Sequence, residues 1–114
     1  MSDHYHDPAD IKRLKDMRAL APADYEAWVN FNRIIARADG AIPRKYRELI
    51  ALGVAFTTQC AYCIDNHTRH ARAHGASKQE IAETAFVAAA VKAGGTLAHS
   101  LLALRIFEEA GQAD

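Results

Sequence analysis

No stretch of this chain alternates apolar and polar residues for long enough to make a half-buried strand. Its apolar residues instead recur at helical spacing between proline and glycine punctuation. That pattern restricts the fold to packed helices. Pro8 opens the first predicted helix, with Ile11, Leu14, Met17 and Leu20 at steps of three. Pro22 starts a second, carrying Tyr25, Trp28, Val29, Phe31, Ile34 and Ile35, and Asp39-Gly40 stops it. Tyr25 and Trp28 lie on an apolar stripe and are expected in the core. Pro43 fits the first turn of a third helix, with Leu49, Ile50, Leu52, Val54 and Phe56. A break near Thr57-Thr58-Gln59 puts Cys60 at or near the start of a fourth, which runs to about His74 and stops at Gly75. Ser77-Lys78-Gln79-Glu80 is a capping box for the fifth. Gly94-Gly95 is expected to interrupt or bend that helix, and a sixth follows with Leu97, Leu101, Leu102, Leu104, Ile106 and Phe107. The prediction is an all-α, compact single-domain bundle of about six helices over residues 1–114. Residues 1–7, with His4 and His6, form a flexible tail.

Composition narrows the function classes. Lysine plus arginine equals aspartate plus glutamate, so the chain lacks the basic surplus of a nucleic-acid binder. No secretory pattern opens it, and no apolar run approaches the roughly 18–20 residues that span a bilayer. A cytoplasmic, reducing setting is therefore expected, with no nucleic-acid or membrane partner. The alanine- and glycine-rich run Ala88–Gly95 suits close helix packing, within the chain or between subunits.

The chain's two cysteines, Cys60 and Cys63, sit three residues apart, and His67 follows four residues after the second. On a helix these three share a face. In a reducing compartment such a pair serves redox chemistry or metal binding more often than it staples a fold, and the loop it closes is too small to stabilise much. A free thiol ionises near pH 8.5, so few thiols are thiolate at neutrality. A helix N-terminus favours the anion at Cys60, while His67 lies where it can take a proton from Cys63. Spacing alone does not choose between them; Cys63 is taken as the histidine-activated thiol and Cys60 as its mate. Glu48, twelve residues before Cys60, stands in the otherwise apolar helix segment Tyr46-Arg47-Glu48-Leu49-Ile50-Ala51-Leu52, where by itself a carboxylate simply points outward.

The pattern E-x11-C-x2-C-x3-H formed by Glu48, Cys60, Cys63 and His67 resembles the active-site pattern of AhpD-like proteins in the carboxymuconolactone decarboxylase superfamily. The segment Ala73-His74-Gly75-Ala76-Ser77-Lys78-Gln79-Glu80-Ile81 resembles a second signature of that group, and the likeness runs from about Tyr25 to Leu104. The resemblance implies an all-helical subunit assembled as a homo-oligomer, a trimer or hexamer. It implies a cysteine-based peroxidase or disulfide oxidoreductase without a cofactor. Cys60 and Cys63 would be its redox-active disulfide, and Glu48 and His67 its proton relay. The substrate would be a hydroperoxide or other small molecule, or the disulfide of a peroxiredoxin partner, with a dithiol protein as reductant. One departure stands out. The best-studied AhpD type has a histidine immediately before the second cysteine, where this chain has Tyr62, a hydrogen-bonding group and possible auxiliary that is no base at neutral pH. True lactone decarboxylases of the superfamily are not expected to carry the cysteine pair, so that activity is discounted.

Two other readings stand beside this one. His67, His70 and His74 follow Cys63 along one helix, but four ligands on one helix cannot converge tetrahedrally, so no metal site is assigned. His70 and His74 are read as surface residues, and His99 as a core or interface histidine. The functional alternative is a carboxymuconolactone decarboxylase-like helical binding or assembly module without redox activity.

Overall fold

In a computed structural model, residues 5–113 are described, and His4 lies outside them. As expected, the chain is all-α, with no strand among the described residues. Asp7 accepts the Ala9 N–H at 3.0 Å and starts a 3-10 helix, Pro8–Arg13, which runs into α1, Leu14–Leu20. After it come α2, Pro22–Asn32; α3, Arg44–Thr58; α4, Ala61–Ala73; and α5, Lys78–Ala113. The second predicted helix ends at Asn32 rather than at Asp39-Gly40, and turns fill residues 33–36.

The core sits between α3 and α4. Leu49, Leu52 and Ala55 of α3 and Ala71 of α4 are its buried apolar residues, with Glu48 buried beside them. The start of α5 packs on α3 beside Gly53, where an added Cβ would make ordinary contact with the Thr84 methyl at 3.5 Å and Ala88 at 3.9 Å. The capping box forms as expected, Ser77 Oγ accepting the Glu80 N–H at 3.1 Å and Glu80 Oε1 the Ser77 N–H at 2.9 Å.

Three expectations need correction. Gly94-Gly95 does not break α5, which is one helix of 36 residues. Each glycine costs about 1 kcal/mol there, and the alanines, leucines and lysine around the pair outweigh that. Second, as one helix, Lys78–Gln112 is long and apolar enough to cross a membrane by length and composition; its polar residues are too scattered to break the average. Third, the compact bundle is realised only by α3, α4 and the first part of α5. From Ala89 to Gln112 every residue of α5 is exposed, and added Cβ atoms at Gly94, Gly95 or Gly111 would meet nothing within 4 Å. The radius of gyration is 19.2 Å, against about 13 Å for a compact domain of this length.

The α1–α2 hairpin is likewise open. Trp28 is 51% exposed, so it is not core in this chain. With Tyr25, Leu14, Met17 and Ala21 it lines a shallow apolar groove of about 260 Å³.

Candidate active site

The site is built where α3 hands over to α4. Gln59, directly after α3, takes the left-handed conformation (φ 57°), which costs a residue with a side chain about 1 kcal/mol or more. That reversal sends the Gln59 and Cys60 N–H groups to the Ala55 carbonyl and leaves Cys60 as the N-cap of α4. Cys60 Sγ accepts the Cys63 N–H at 3.2 Å, a role ordinarily filled by serine or aspartate. Cys60 and Cys63 are joined as a disulfide, their Cα atoms 5.2 Å apart, a normal separation for such a bridge. Because α4 is regular from Ala61 onward, His67 stands one turn beyond Cys63 on the same side of the helix.

The carboxylate comes from α3. Glu48 is 1% exposed, and both of its oxygens are engaged. The His67 Nδ1–H donates to Oε2 at 2.6 Å, and the Arg44 Nε–H donates to Oε1 at 2.9 Å. A carboxylate so enclosed must be balanced by charge and hydrogen bonds or it would be costly. The structure thus brings Glu48 and His67 into contact from two helices, and sets that histidine one turn beyond Cys63 and two turns beyond Cys60 along α4.

Arg44 is the residue that the motif does not contain. It is the first residue of α3, one turn before Glu48, and its Nη2–H donates to His70 Nδ1 at 3.0 Å. A guanidinium has no acceptor, so His70 presents a bare Nδ1 and carries its proton on Nε2. Its charge offered a signal. The first turn of α3 holds Arg44, Lys45 and Arg47 and no acid, the wrong sign for the positive end of a helix dipole. Each cation is committed elsewhere: Arg47 donates to the carbonyls of Ile34, Ile35 and Ile42, Lys45 pairs with Glu80 at 3.0 Å, and Arg44 serves Glu48.

Tyr62 points away from this network. Its hydroxyl donates to Asp10 Oδ2 of the 3-10 helix at 2.7 Å, and the His6 ring packs edge-on against it, centroids 4.3 Å apart. The Asp10 carboxylate, with a smaller contribution from burial, holds the phenol above its ordinary value. His6 is therefore not part of a loose tail: the segment from His6 to Arg13 is laid against α4 at Tyr62, one of the two residues between the cysteines. A cleft of about 120 Å³ lies beside this contact, walled by Pro8, Ile11, Tyr62, Asn66, Arg69 and His70.

His74, at the end of α4, donates from Nδ1 to the His70 carbonyl at 2.8 Å. His67, His70 and His74 thus all have Nδ1 engaged within the protein, and among the described residues no group of three or more His, Cys, Asp and Glu side chains is arranged to hold a metal ion. His99 lies on the exposed part of α5, away from the site.

Comparison with known proteins places the chain in a family. A solved carboxymuconolactone decarboxylase family protein from Legionella pneumophila, in its apo form, superposes with a TM-score of 0.67 at 30% identity, covering 90% of this chain and 91% of that one. An uncharacterised protein of the cox locus of Paracoccus denitrificans is 39% identical over 92 residues, 81% of each chain. An uncharacterised protein of Cupriavidus necator is 29% identical over 92 residues, covering 79% of this chain and 81% of its own. The carboxymuconolactone decarboxylase family pattern matches residues 22–105, from the start of α2 to beyond the middle of α5. With a helical fold and a family pattern that together span most of its length, the chain belongs to the carboxymuconolactone decarboxylase family.

Proposed function

We propose that this chain is a cysteine-based oxidoreductase of the AhpD-like type, cycling Cys60 and Cys63 between dithiol and disulfide. One observation carries the reading: a disulfide-forming pair at the start of α4 shares that helix with an imidazole, one turn beyond Cys63, whose Nδ1 is held by a buried carboxylate. A structural staple has no use for that carboxylate and imidazole.

In the reduced protein, His67 takes the proton of Cys63 through Nε2, and Glu48 stabilises the imidazolium through Nδ1–H. The Cys63 thiolate attacks the terminal oxygen of a hydroperoxide. The O–O bond breaks, sulfur is oxidised to the sulfenic acid, and the departing alkoxide takes a proton from His67 to leave as the alcohol. Cys60, whose sulfur receives a backbone N–H at the helix end, then attacks Cys63 Sγ. The S–S bond forms and water leaves with the Cys60 proton. An external dithiol, in a reducing cytoplasm a small dithiol protein, donates two electrons and two protons to restore both thiols. The disulfide of a peroxiredoxin partner is an alternative oxidant, reached by thiol–disulfide exchange.

The experiment is thiol counting on the reduced protein before and after one equivalent of organic hydroperoxide. Loss of two thiols per chain, restored by dithiothreitol, is expected. Sulfenic acid should be trapped in Cys60→Ser and not in Cys63→Ser. Unchanged thiols with peroxide or an oxidised peroxiredoxin would leave the binding or assembly module as the reading.

The same proposal includes a homo-oligomer, a trimer or hexamer. The chain exposes 9237 Å², whereas a compact monomer of 12.5 kDa exposes about 6,200 Å². The excess, about 3,000 Å², is well above the roughly 800 Å² each partner contributes to an ordinary stable interface. Much of it lies on the distal half of α5, where Leu97, Leu101, Leu104 and Phe107 are all more than half exposed. A second copy suits this surface better than lipid does. Lys92 and Arg105 lie along it, and each charged group would cost about 2.5–3.5 kcal/mol at bilayer mid-depth, while between proteins it can find a carboxylate.

A further inference from the structure

We propose that Arg44 is the positioning residue of this site: as the fixed counter-ion of Glu48, it lets His67 rest as the neutral Nδ1–H imidazole with Nε2 bare and open to a proton. The use of that open nitrogen rests on the redox reading above; the protonation state itself does not.

The argument is a charge count. Glu48 is 1% exposed, so its negative charge has almost no water to share. Two groups touch it, Arg44 at Oε1 and His67 at Oε2. A guanidinium keeps its charge at any accessible pH, and Arg44 alone therefore brings the enclosed group to neutrality. The imidazole need not add a second positive charge; it has only to donate one N–H. That hydrogen bond places the proton on Nδ1 and leaves Nε2 empty. The guanidinium is in turn held in its plane by the contact from Nη2 to His70 Nδ1 across on α4. Arg44 thus spans both helices that make the site, while its hydrogen bonds go to Glu48, His70 and the Ala36 carbonyl and not to either sulfur.

Take the cation away and the balance changes. The enclosed carboxylate then has only His67 to offset it, and the pair must bind a proton. If that proton goes to the imidazole, both ring nitrogens are protonated. If it goes to Glu48, the carboxyl O–H donates to Nδ1 and the ring moves its own proton to Nε2. Both routes fill the nitrogen that was bare. Arg44→Gln keeps an N–H donor and removes the charge, whereas Arg44→Lys keeps the charge and loses the fork.

The test is 15N NMR of the histidine side chains in the oxidised, full-length protein at neutral pH, with His67→Gln to assign the resonance. Wild type should show His67 Nε2 unprotonated. Arg44→Gln should protonate it, and Arg44→Lys should return it to the bare state. A protonated Nε2 in wild type would overturn the proposal without any variant, which keeps it open to refutation should Arg44→Gln not fold. So would an unprotonated Nε2 in a folded Arg44→Gln. Thiol counting separates this from the redox reading: a ring that switches as expected in a protein whose thiols ignore every oxidant keeps the assignment of Arg44 and sinks the peroxidase.

Discussion

The α3–α4 half of the molecule and the distal half of α5 have similar helix-forming sequences and opposite surroundings. The first holds Leu49, Leu52, Ala55, Ala71 and Glu48 in a buried cluster. The second runs for more than twenty residues with every side chain exposed. The contrast separates two sources of stability. The site is held by contacts that one chain makes with itself, so its geometry is available to a monomer. The end of α5 has no such contacts among the described residues, and helices in proteins draw most of their stability from packing rather than propensity; the proposed oligomer would supply that packing.

The largest expected effect breaks that contrast directly. Paired substitutions Leu101→Asp and Leu104→Asp should abolish the oligomer, read as a fall in mass by light scattering on a sizing column. An unchanged mass would place the interface elsewhere, and association of wild type with liposomes in place of self-assembly would hand the surface to a membrane. Next in size is Leu52→Ala. Leu52 is fully buried between α3 and its neighbours, and its loss should cost about 3 kcal/mol. The penalty should be the same in dilute and concentrated protein, whereas the penalty for Leu101→Ala should grow with concentration as the oligomer fills. Denaturation at two protein concentrations distinguishes them.

Much of the site was legible in the sequence for a geometric reason. Cys60, Cys63 and His67 fall on one helix, where spacing converts directly into a shared face. Glu48 needed more, because its meeting with His67 depends on the reversal at Gln59, and no rule of local spacing carries a contact across a turn; only the resemblance to a family pattern supplied it. Arg44 went unread although it stands one turn before Glu48. Its meaning depends on Glu48 being buried, and burial is a property of the packed pair of helices. The helices themselves were legible from periodicity and from caps such as Ser77–Glu80. The errors came where local signals met a missing context. Gly94-Gly95 is a helix breaker by propensity, yet two weak residues cannot stop a helix that strong formers carry on either side. Trp28 looks like core by its type, yet the described residues cover only about half of it.

A smaller effect sharpens the comparison at the junction of the two regions. Ser77→Ala removes the side chain that receives the Glu80 N–H and should cost about 1 kcal/mol. Because this cap begins the packed part of α5, hydrogen exchange should rise first in residues near Lys78 and leave the amides of α4 protected. An equal rise along the whole of α5 would mean that the helix melts as one unit.

The smallest effect is the response to pH, and it separates two contacts by sign. Glu80 is held below the ordinary carboxyl value of 4.5, first by the Ser77 N–H and then by Lys45. A carboxylate lowered on folding stabilises the fold fully above that ordinary value, and its contribution fades as pH falls through the lowered one. Lys45 is raised above 10.5, chiefly by its hydrogen bond to Glu80, and Tyr62 above 10.0, chiefly by its hydrogen bond to Asp10. Groups raised on folding contribute below their ordinary values and lose that contribution as pH rises through the raised ones. Acid should therefore loosen the start of α5 from α3, while alkali should also free the N-terminal segment from Tyr62. All three groups are solvent-accessible, so each change is modest and should shrink in high salt. Tyr62→Phe should remove the N-terminal part of the alkaline loss and leave the acid limb untouched. An acid limb that moved with Tyr62→Phe would show that the N-terminal segment and α5 are coupled through α4, and the two regions would then be one.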